Sequence, residues 1–205
     1  TLELEDGRKV RLANINTPEK NQPNYNLSIE FLRQFQNSTA NLEILGAEKY
    51  GRILGRVYTI DNDYLNLELV KQGLASKFLV HEDELKSFAQ AEEQAIKKEK
   101  GIWKKSQYFN CFKSEIDAKD EIVTITNQCD KLNINDFLLK DESTKYLKFK
   151  NIIINNQLII HSNEGENNET DIFWNAKTNI WNNDRDSLYL FDKEGTLAHY
   201  ETYGY

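Results

Sequence analysis

Two arginines and a glutamate near the beginning of the chain have the types and spacing that phosphodiester chemistry requires. Arg11 lies in the apolar run Val10–Ile15, Glu19 follows that run, and Arg52 closes the glycine turn at Tyr50-Gly51. Guanidinium groups pair bidentately with phosphate oxygens, and a carboxylate can accept a proton from an attacking water. These residues therefore predict hydrolysis of a phosphodiester, with the developing charge stabilised by two arginines.

Each of these residues also has an ordinary structural explanation, which the sequence leaves open. Thr17-Pro18-Glu19 is a common helix start, with the threonine as N-cap and the proline at the first helical position. Arg11 could pair with an internal carboxylate. Arg52 could be a surface arginine at the start of a strand.

Strands on either side of these residues would have to position them. Val10, Leu12 and Asn14 fall on one strand face and Arg11, Ala13 and Ile15 on the other, so we expect one strand buried on both sides. Asp6-Gly7 predicts a tight hairpin before it. The other predicted strands are Asn41–Leu45, Ile53–Ile60 and an extended segment Ala75–Val80.

Three helices are predicted between and after these strands. Apolar spacing indicates helices over Asn26–Gln36, Leu65–Gln72 and Glu82–Lys100, with Gly73 and Gly101 ending the last two. Strands and helices interleaved in this way favour a small barrel with helices packed on it.

Four motifs in this order resemble one known family. They are Val10-Arg11-Leu12 continuing to Thr17-Pro18-Glu19, then Lys49-Tyr50-Gly51-Arg52 before a strand, then Leu69–Ala75, then Lys100-Gly101-Ile102-Trp103. Over about residues 1–105 they resemble a staphylococcal-type thermonuclease domain. The resemblance implies an α+β OB-fold barrel with three helices, which uses calcium to hydrolyse DNA and RNA.

The resemblance also assigns roles to single residues. Glu19 matches the general base, and Arg11 and Arg52 match the arginines that bind the scissile phosphate. Lys49 and Tyr50 match residues that line the nucleotide pocket.

The implied metal site departs from the family pattern. Thr17 matches a position that offers its carbonyl oxygen to calcium, but Asn16 stands where the family has a ligating aspartate. The other ligating aspartate would precede Thr1. Two carboxylates are therefore missing, and we expect calcium to bind weakly.

The beginning of the chain suggests that an upstream part is missing. The chain opens at Thr1, directly in a strand-like segment, and contains no methionine. The first barrel strand of the family would lie before this point. Because thermonuclease-like proteins are often exported, we expect a secreted or cell-surface protein. No apolar run approaches the ~18 residues that a membrane span needs.

The second half of the chain predicts a different fold. Residues 106–118 are mostly polar or charged and are expected to be a linker. From residue 119, short strand-like runs alternate with turn-rich segments, which is typical of a β-sandwich. The segments Asp171–Asn175 and Ile180–Asp192, followed by Gly195 and a tyrosine-rich end, resemble a lamin-tail domain. That resemblance covers residues 119–205 and implies an all-β immunoglobulin-like sandwich that binds protein, DNA or a cell surface.

Charge and cysteine content add two constraints. The net charge is −7, yet residues 1–105 carry 16 basic and 16 acidic side chains, so the excess of acids lies in the second half. A neutral first domain argues for a local site rather than a wide nucleic-acid footprint. Cys111 and Cys129 could form one disulfide or remain two free thiols.

Two hypotheses follow from the sequence. The first is a metal-dependent nuclease that cleaves DNA or RNA. The second is a catalytically inactive OB-fold that binds nucleic acid or protein and is tethered by a lamin-tail interaction domain.

Overall fold

The chain forms two compact units, Thr1–Trp103 and Lys104–Tyr205, in a computed structural model that describes residues 1–20, 22, 24–48 and 50–205. The sequence predicts a first domain at 1–105, a linker at 106–118 and a second domain at 119–205. The structure differs in the linker, because Phe112–Asp117 is a strand of the second unit. Its exposed residues alternate with Phe112, Ser114 and Ile116, which are buried or half-buried. The segment is therefore a strand with one inward face, although its charged composition is typical of a linker.

The first unit is built on one sheet and one short strand pair. Its strands are β1 Leu2–Glu3, β2 Lys9–Leu12, β3 Ile15–Asn16, β4 Ala40–Ala47, β5 Ile53–Thr59 and β6 Ser76–Lys77. Within the described part of the chain, β1, β2, β5 and β4 form a sheet in that order, and β3 pairs with β6. β2 and β5 run parallel, whereas the other pairs are antiparallel.

Helices cover this unit in the order that the apolar spacing predicts. They are α1 Tyr25–Arg33, α2 Leu65–Lys71 and α3 Leu85–Lys97. The third is shorter than predicted, because Glu82–Glu84 forms a 3₁₀ turn before it. Glu84 ends that turn with its carboxylate bound by Arg56 at 2.8 Å and Asn14 at 2.6 Å, which fixes the turn to the strands.

The segments that follow the C-termini of α2 and α3 approach each other at Gly73 and Gly101. Gly73 has φ +67, and a Cβ there would lie 2.2 Å from the carbonyl oxygen of Lys100. The amide of Ile102 donates to Gly73 O at 2.8 Å, and Trp103 is fully buried beyond it. Only glycine allows this approach. The helices end at Lys71 and Lys97, one and three residues before the predicted ends at Gln72 and Lys100.

A buried ion pair joins β6 to α3. Lys77 and Glu92 have side chains that are 1% and 0% exposed; the ammonium contacts Glu92 Oε2, and the Lys77 amide donates to Glu92 Oε1 at 2.9 Å. Because β6 also pairs with β3, this ion pair supports the strand that carries Asn16.

Lys77→Met should lower the free energy of unfolding by about 3–5 kcal/mol, because it leaves the Glu92 carboxylate buried without its cation. Lys77→Met combined with Glu92→Gln should recover much of this loss, since the amide oxygen still accepts from the Lys77 amide and no charge remains. Urea unfolding followed by circular dichroism measures both. A double variant that is less stable than Lys77→Met contradicts this explanation.

The second unit is rich in β-structure. Its strands are β7 Phe112–Asp117, β8 Ile122–Asn127, β9 Leu132–Asn133, β10 Leu138–Lys140, β11 Tyr146–Lys148, β12 Ile153–Ile154, β13 Gln157–His161, β14 Asp171–Phe173, β15 Asp186–Phe191 and β16 Leu197–Tyr203. Among the described residues they form the sheets β14-β13-β8-β7 and β11-β10-β15-β16 and the pair β12-β9. Both larger sheets contribute to a common apolar cluster, for example through Ile125, Leu158, Leu139 and Leu190.

A disulfide closes one end of this unit. Cys111, just before β7, is bonded to Cys129, just after β8. Of the two possibilities that the sequence leaves open, the structure therefore has the disulfide. No helix in the described part of the chain is long and apolar enough to cross a membrane.

The second unit also contains the buried carboxylates Asp141 and Asp186. Asp141 is 2% exposed and accepts from the Ser143 amide at 3.0 Å and the Ser143 hydroxyl at 2.7 Å. Burial, the largest cause, and the charge of nearby Asp186 raise the pKa of Asp141 to about 6, although the Ser143 hydrogen bond and the charges of Lys140 and Lys145 lower it.

This raised pKa makes the stability of the second unit depend on pH. The folded state holds the Asp141 proton more tightly than the unfolded state, so its stabilising effect is full below about pH 4 and lost as the pH rises through about 6. Asp141→Asn should therefore raise the free energy of unfolding at pH 8 by about 1–3 kcal/mol and leave it nearly unchanged at pH 4. Denaturant unfolding at both pH values measures the change in the free energy of unfolding. Equal changes at pH 4 and pH 8 would contradict a raised pKa of Asp141 in the folded state.

Candidate active site

The parallel pairing of β2 with β5 places two arginines on one face of the sheet. Val10 pairs with Ile53 and Arg11 with Leu54. Arg52 comes two residues before Leu54, and residues two apart along an extended chain point to the same face. Arg11 and Arg52 therefore share a face, while Val10 and its neighbours pack into the core on the other side.

The strand that carries Arg11 ends earlier than the sequence predicts. One strand was expected over Val10–Ile15, but the chain turns at Ala13-Asn14 and separates β2 from β3. Asn14 has φ 66, a left-handed conformation that asparagine tolerates better than most residues. Its side chain donates to Glu84 Oε2 at 2.6 Å and accepts from the His81 amide at 3.1 Å, which holds the turn.

This turn brings Asn16 back against Arg11. Arg11 Nη2 donates to Asn16 Oδ1 at 2.5 Å, and Arg11 Nη1 donates to the carbonyl oxygen of Leu12. Both acceptors are neutral. The guanidinium also lies over the ring of Phe78, with Cζ 6.0 Å from the ring centroid. The contacts fix the orientation of Arg11 without neutralising its charge.

Arg52 is held by an acid within its own turn. Its Nε and Nη2 donate to Glu48 Oε2 and Oε1 at 2.5 and 2.6 Å, and Nη1 donates to Thr1 Oγ1 at 2.8 Å. Both side chains of the ion pair are 27% exposed. The Arg52 guanidinium holds the pKa of the Glu48 carboxyl below its ordinary value, so Glu48 is ionised at neutral pH.

Glu19 lies in an exposed loop that follows β3. Its amide donates to Gln22 Oε1 at 2.8 Å, and its carbonyl oxygen accepts from the Gln22 amide at 2.9 Å. Thr17 is half-buried, and the backbone at Thr17–Glu19 is irregular, since α1 begins only at Tyr25. The alternative of a helix start at Thr17 is therefore wrong.

The charges of these side chains influence one another and the Thr1 amino group. Burial lowers the pKa of the Thr1 amino group, the charges of Arg11 and Arg52 lower it further, and Glu19 raises it. Burial likewise lowers the pKa of Arg11, as does Arg52, whereas Glu48 and Glu19 raise it. Arg11 thus lies within electrostatic range of Arg52, Glu48 and Glu19, an arrangement that can bind a phosphate and place a base beside it.

Tyr50 and Lys49 are the two residues expected to line a nucleotide pocket. Tyr50 is 77% exposed, which leaves its ring accessible for stacking. Lys49 lies outside the described residues.

The residues expected to hold calcium do not fit that ion. A calcium ion requires six to eight oxygen ligands, several of them usually carboxylates. Here the amide oxygen of Asn16 accepts from the Arg11 cation, and residues 1–20, 22, 24–48 and 50–205 contain no group of three or more His, Cys, Asp or Glu placed to hold a metal.

Sequence reasoning missed two residues that shape this site. Glu48 precedes Arg52 by four residues across a glycine turn, and this spacing could have indicated the ion pair. Asn14 was placed within a strand, although asparagine is common at left-handed turn positions.

Comparison with known proteins agrees with this description of the first unit. Residues 9–105 match the model of a protein family described as "Staphylococcal nuclease homologue". An "Uncharacterized endonuclease" of Escherichia coli is 35% identical over 79 residues, which cover 37% of this chain and 52% of that protein. An "Uncharacterized endonuclease" of Haemophilus influenzae is 35% identical over 96 residues, 46% of this chain and 53% of that protein. "Endonuclease YhcR" of Bacillus subtilis is 31% identical over 114 residues, 46% of this chain and 9% of that protein.

The matched region is thus only part of each relative. The chain spans about half the length of the Escherichia coli and Haemophilus influenzae proteins and a small fraction of the Bacillus subtilis protein.

Asn16→Asp should weaken the binding of a labelled single-stranded oligonucleotide about tenfold in the presence of chelator, because the new carboxylate pairs with Arg11 and competes with phosphate. Asn16→Ala, which removes the acceptor without adding charge, is the control and should weaken binding much less than Asn16→Asp. Added calcium should leave the wild-type affinity unchanged. Fluorescence anisotropy measures all three, and equal weakening by both variants would contradict the competition.

Proposed function

We propose that this chain, in which residues 9–105 form a staphylococcal nuclease-like domain, is a nuclease that hydrolyses phosphodiester bonds of DNA or RNA. The observation that supports this most is the parallel register of β2 and β5, which places Arg11 and Arg52 on one face of the sheet. The relatives named as endonucleases also support it, since their similarity lies in the same region.

The proposed reaction uses side chains of the first unit. Arg11 and Arg52 bind the non-bridging oxygens of the scissile phosphate, where planar guanidinium groups match the geometry and stabilise charge in the transition state. Glu19 takes a proton from a water molecule, whose oxygen attacks phosphorus while the bond to the leaving oxygen breaks. The leaving oxygen takes a proton from solvent. Tyr50 and Lys49 are proposed to contact the nucleotide next to that phosphate.

The site suits a single bound phosphate rather than a long stretch of duplex. Residues 1–105 are neutral overall, so favourable charge is confined to the two arginines and their surroundings. Glu19 lies on an exposed loop, which an extended single strand can reach. A single-stranded or locally opened substrate is therefore the proposed preference.

The family resemblance implies calcium as a cofactor. The ligands offered by Asn16 and Thr17 do not fit it, as described above. The proposal therefore assigns the chemistry to Arg11, Arg52 and Glu19, and the activity has to be measured with calcium and with chelator.

A second candidate function is a binding module without catalysis. The hydrogen bond between Arg11 and Asn16 favours it, because an amide stands where the resembling family has a charged ligand. Such a module would bind single-stranded nucleic acid through the same two arginines.

The second unit is proposed to bind protein, DNA or a cell surface and so to tether the nuclease-like unit there. Two four-stranded sheets around a shared apolar cluster support an immunoglobulin-like sandwich of the lamin-tail type, and the sheet and helices of the first unit support an OB-fold barrel. The Cys111–Cys129 disulfide supports a secreted or cell-surface location, because disulfides persist in oxidising environments.

Glu19→Gln and Arg52→Ala should each lower the cleavage rate of a fluorescent single-stranded DNA by about 10²–10⁴-fold, since one removes the base and the other a charge-stabilising donor. Glu30→Gln and Arg33→Ala, two exposed changes on α1, are the matched controls and should cleave like the wild type. All variants are purified identically, checked for folding, and assayed with calcium and with chelator.

The outcomes separate the two candidate functions. Cleavage that is lost in Glu19→Gln and kept in Glu30→Gln supports the nuclease. Wild-type protein that binds the oligonucleotide but cleaves it in neither buffer supports the binding module. Equal cleavage by wild type and Glu19→Gln contradicts the proposed role of Glu19.

A further inference from the structure

The side-on ion pair between Glu48 and Arg52 has a geometry that bears on the reaction. Glu48 engages the Nε and Nη2 side of the guanidinium with both carboxylate oxygens, at 2.5 and 2.6 Å. A guanidinium held on this side still presents its terminal edge, Nη1 and Nη2, to a second anion. The acid can therefore orient Arg52 without occupying the edge that would meet a phosphate.

The turn between β4 and β5 fixes both partners. The Glu48 amide donates to Arg52 O at 2.8 Å, and the Gly51 amide donates to Glu48 O at 2.9 Å. Gly51 has φ +74, a conformation that glycine adopts readily. The backbone thus sets the separation of the acid and the arginine before any ligand arrives.

The terminal edge of Arg52 meets the hydroxyl of Thr1. Nη1 donates to Thr1 Oγ1 at 2.8 Å, so an oxygen acceptor already sits on that edge. The Thr1 amino group lies within electrostatic range of Arg11 and Glu19. A phosphate oxygen at the position of Thr1 Oγ1 would therefore accept a hydrogen bond from the terminal edge of Arg52.

Charge gives Glu48 a second effect. Arg11 and Arg52 repel each other. A bound phosphate would relieve this repulsion, but the free protein has no phosphate at this position. Glu48 is ionised and interacts with both guanidinium groups. The Glu48 carboxylate offsets the repulsion between Arg11 and Arg52 in the free protein, so the two arginines can remain close together before a phosphate binds.

We propose that Glu48 is a positioning residue for the nuclease reaction: by binding Arg52 side-on, it aims the terminal edge of that guanidinium at the scissile phosphate beside Arg11 and Glu19. This inference rests on the proposed nuclease function. The opposite role, a competitor that phosphate must displace, predicts the reverse effect on substrate binding and is an outcome of the test.

The test compares Glu48→Ala and Glu48→Gln with the wild type in steady-state cleavage of a labelled single-stranded DNA. Glu43→Gln is the matched control, because Glu43 forms an ion pair with Arg56 at 2.7 Å in the same hairpin. Glu48→Ala should lower kcat about 10–100-fold with KM changed less than about threefold, since orientation is lost while both arginines remain. Glu48→Gln should lie between Glu48→Ala and the wild type, and Glu43→Gln should match the wild type.

A double-mutant cycle separates positioning from a general structural effect. In an Arg52→Ala background, adding Glu48→Ala should change kcat less than about threefold, because the residue that it positions is gone. Multiplication of the two losses overturns the inference, and so does a lower KM with unchanged kcat, which marks a competitor. If the wild type does not cleave, the proposed nuclease function fails and this inference with it; if the wild type cleaves and Glu48→Ala equals Glu43→Gln, only the inference fails.

Discussion

Two guanidinium groups lie on one face of the sheet because β2 and β5 run parallel in a register that aligns Arg11 with Leu54. Like charges at this spacing need compensation, and the surroundings of each arginine provide it differently. Arg52 has a full ion pair with Glu48, whereas Arg11 has the neutral oxygens of Asn16 and Leu12. The site is therefore left with positive character at Arg11, which is what a phosphate would require.

The other elements of the first unit hold this arrangement in place. The turn at Asn14 is anchored by Glu84 and His81, and it returns the chain so that Asn16 can reach Arg11. β6 supports β3 and is itself tied to α3 by the Lys77–Glu92 ion pair. The loop that carries Glu19 follows β3, so its position depends on contacts that reach into the core.

Part of this could be predicted from the sequence, and the remainder could not, for physical reasons. Residue type, spacing and the family resemblance single out Arg11, Glu19 and Arg52, whose roles stay predictions, and apolar spacing located the helices to within a few residues. The break at Asn14 depends on side-chain contacts with residues about 70 positions away, which no local pattern contains. In the second unit, the charged alternation of Phe112–Asp117 concealed a strand whose pairing with β8 is fixed by long-range contacts. Calcium was expected from resemblance, and the hydrogen bond between Asn16 and Arg11 explains why the described ligands do not fit it.

The central claim is that Arg11 and Arg52 act on one phosphate. The most direct measurement is kcat/KM for single-stranded DNA cleavage by Arg11→Ala, Arg52→Ala and the double variant. Residues that act as a unit are strongly non-additive, so the double variant should lose little more than the worse single variant, within about tenfold. Losses that multiply, or single variants that cleave as fast as the wild type, would contradict the account.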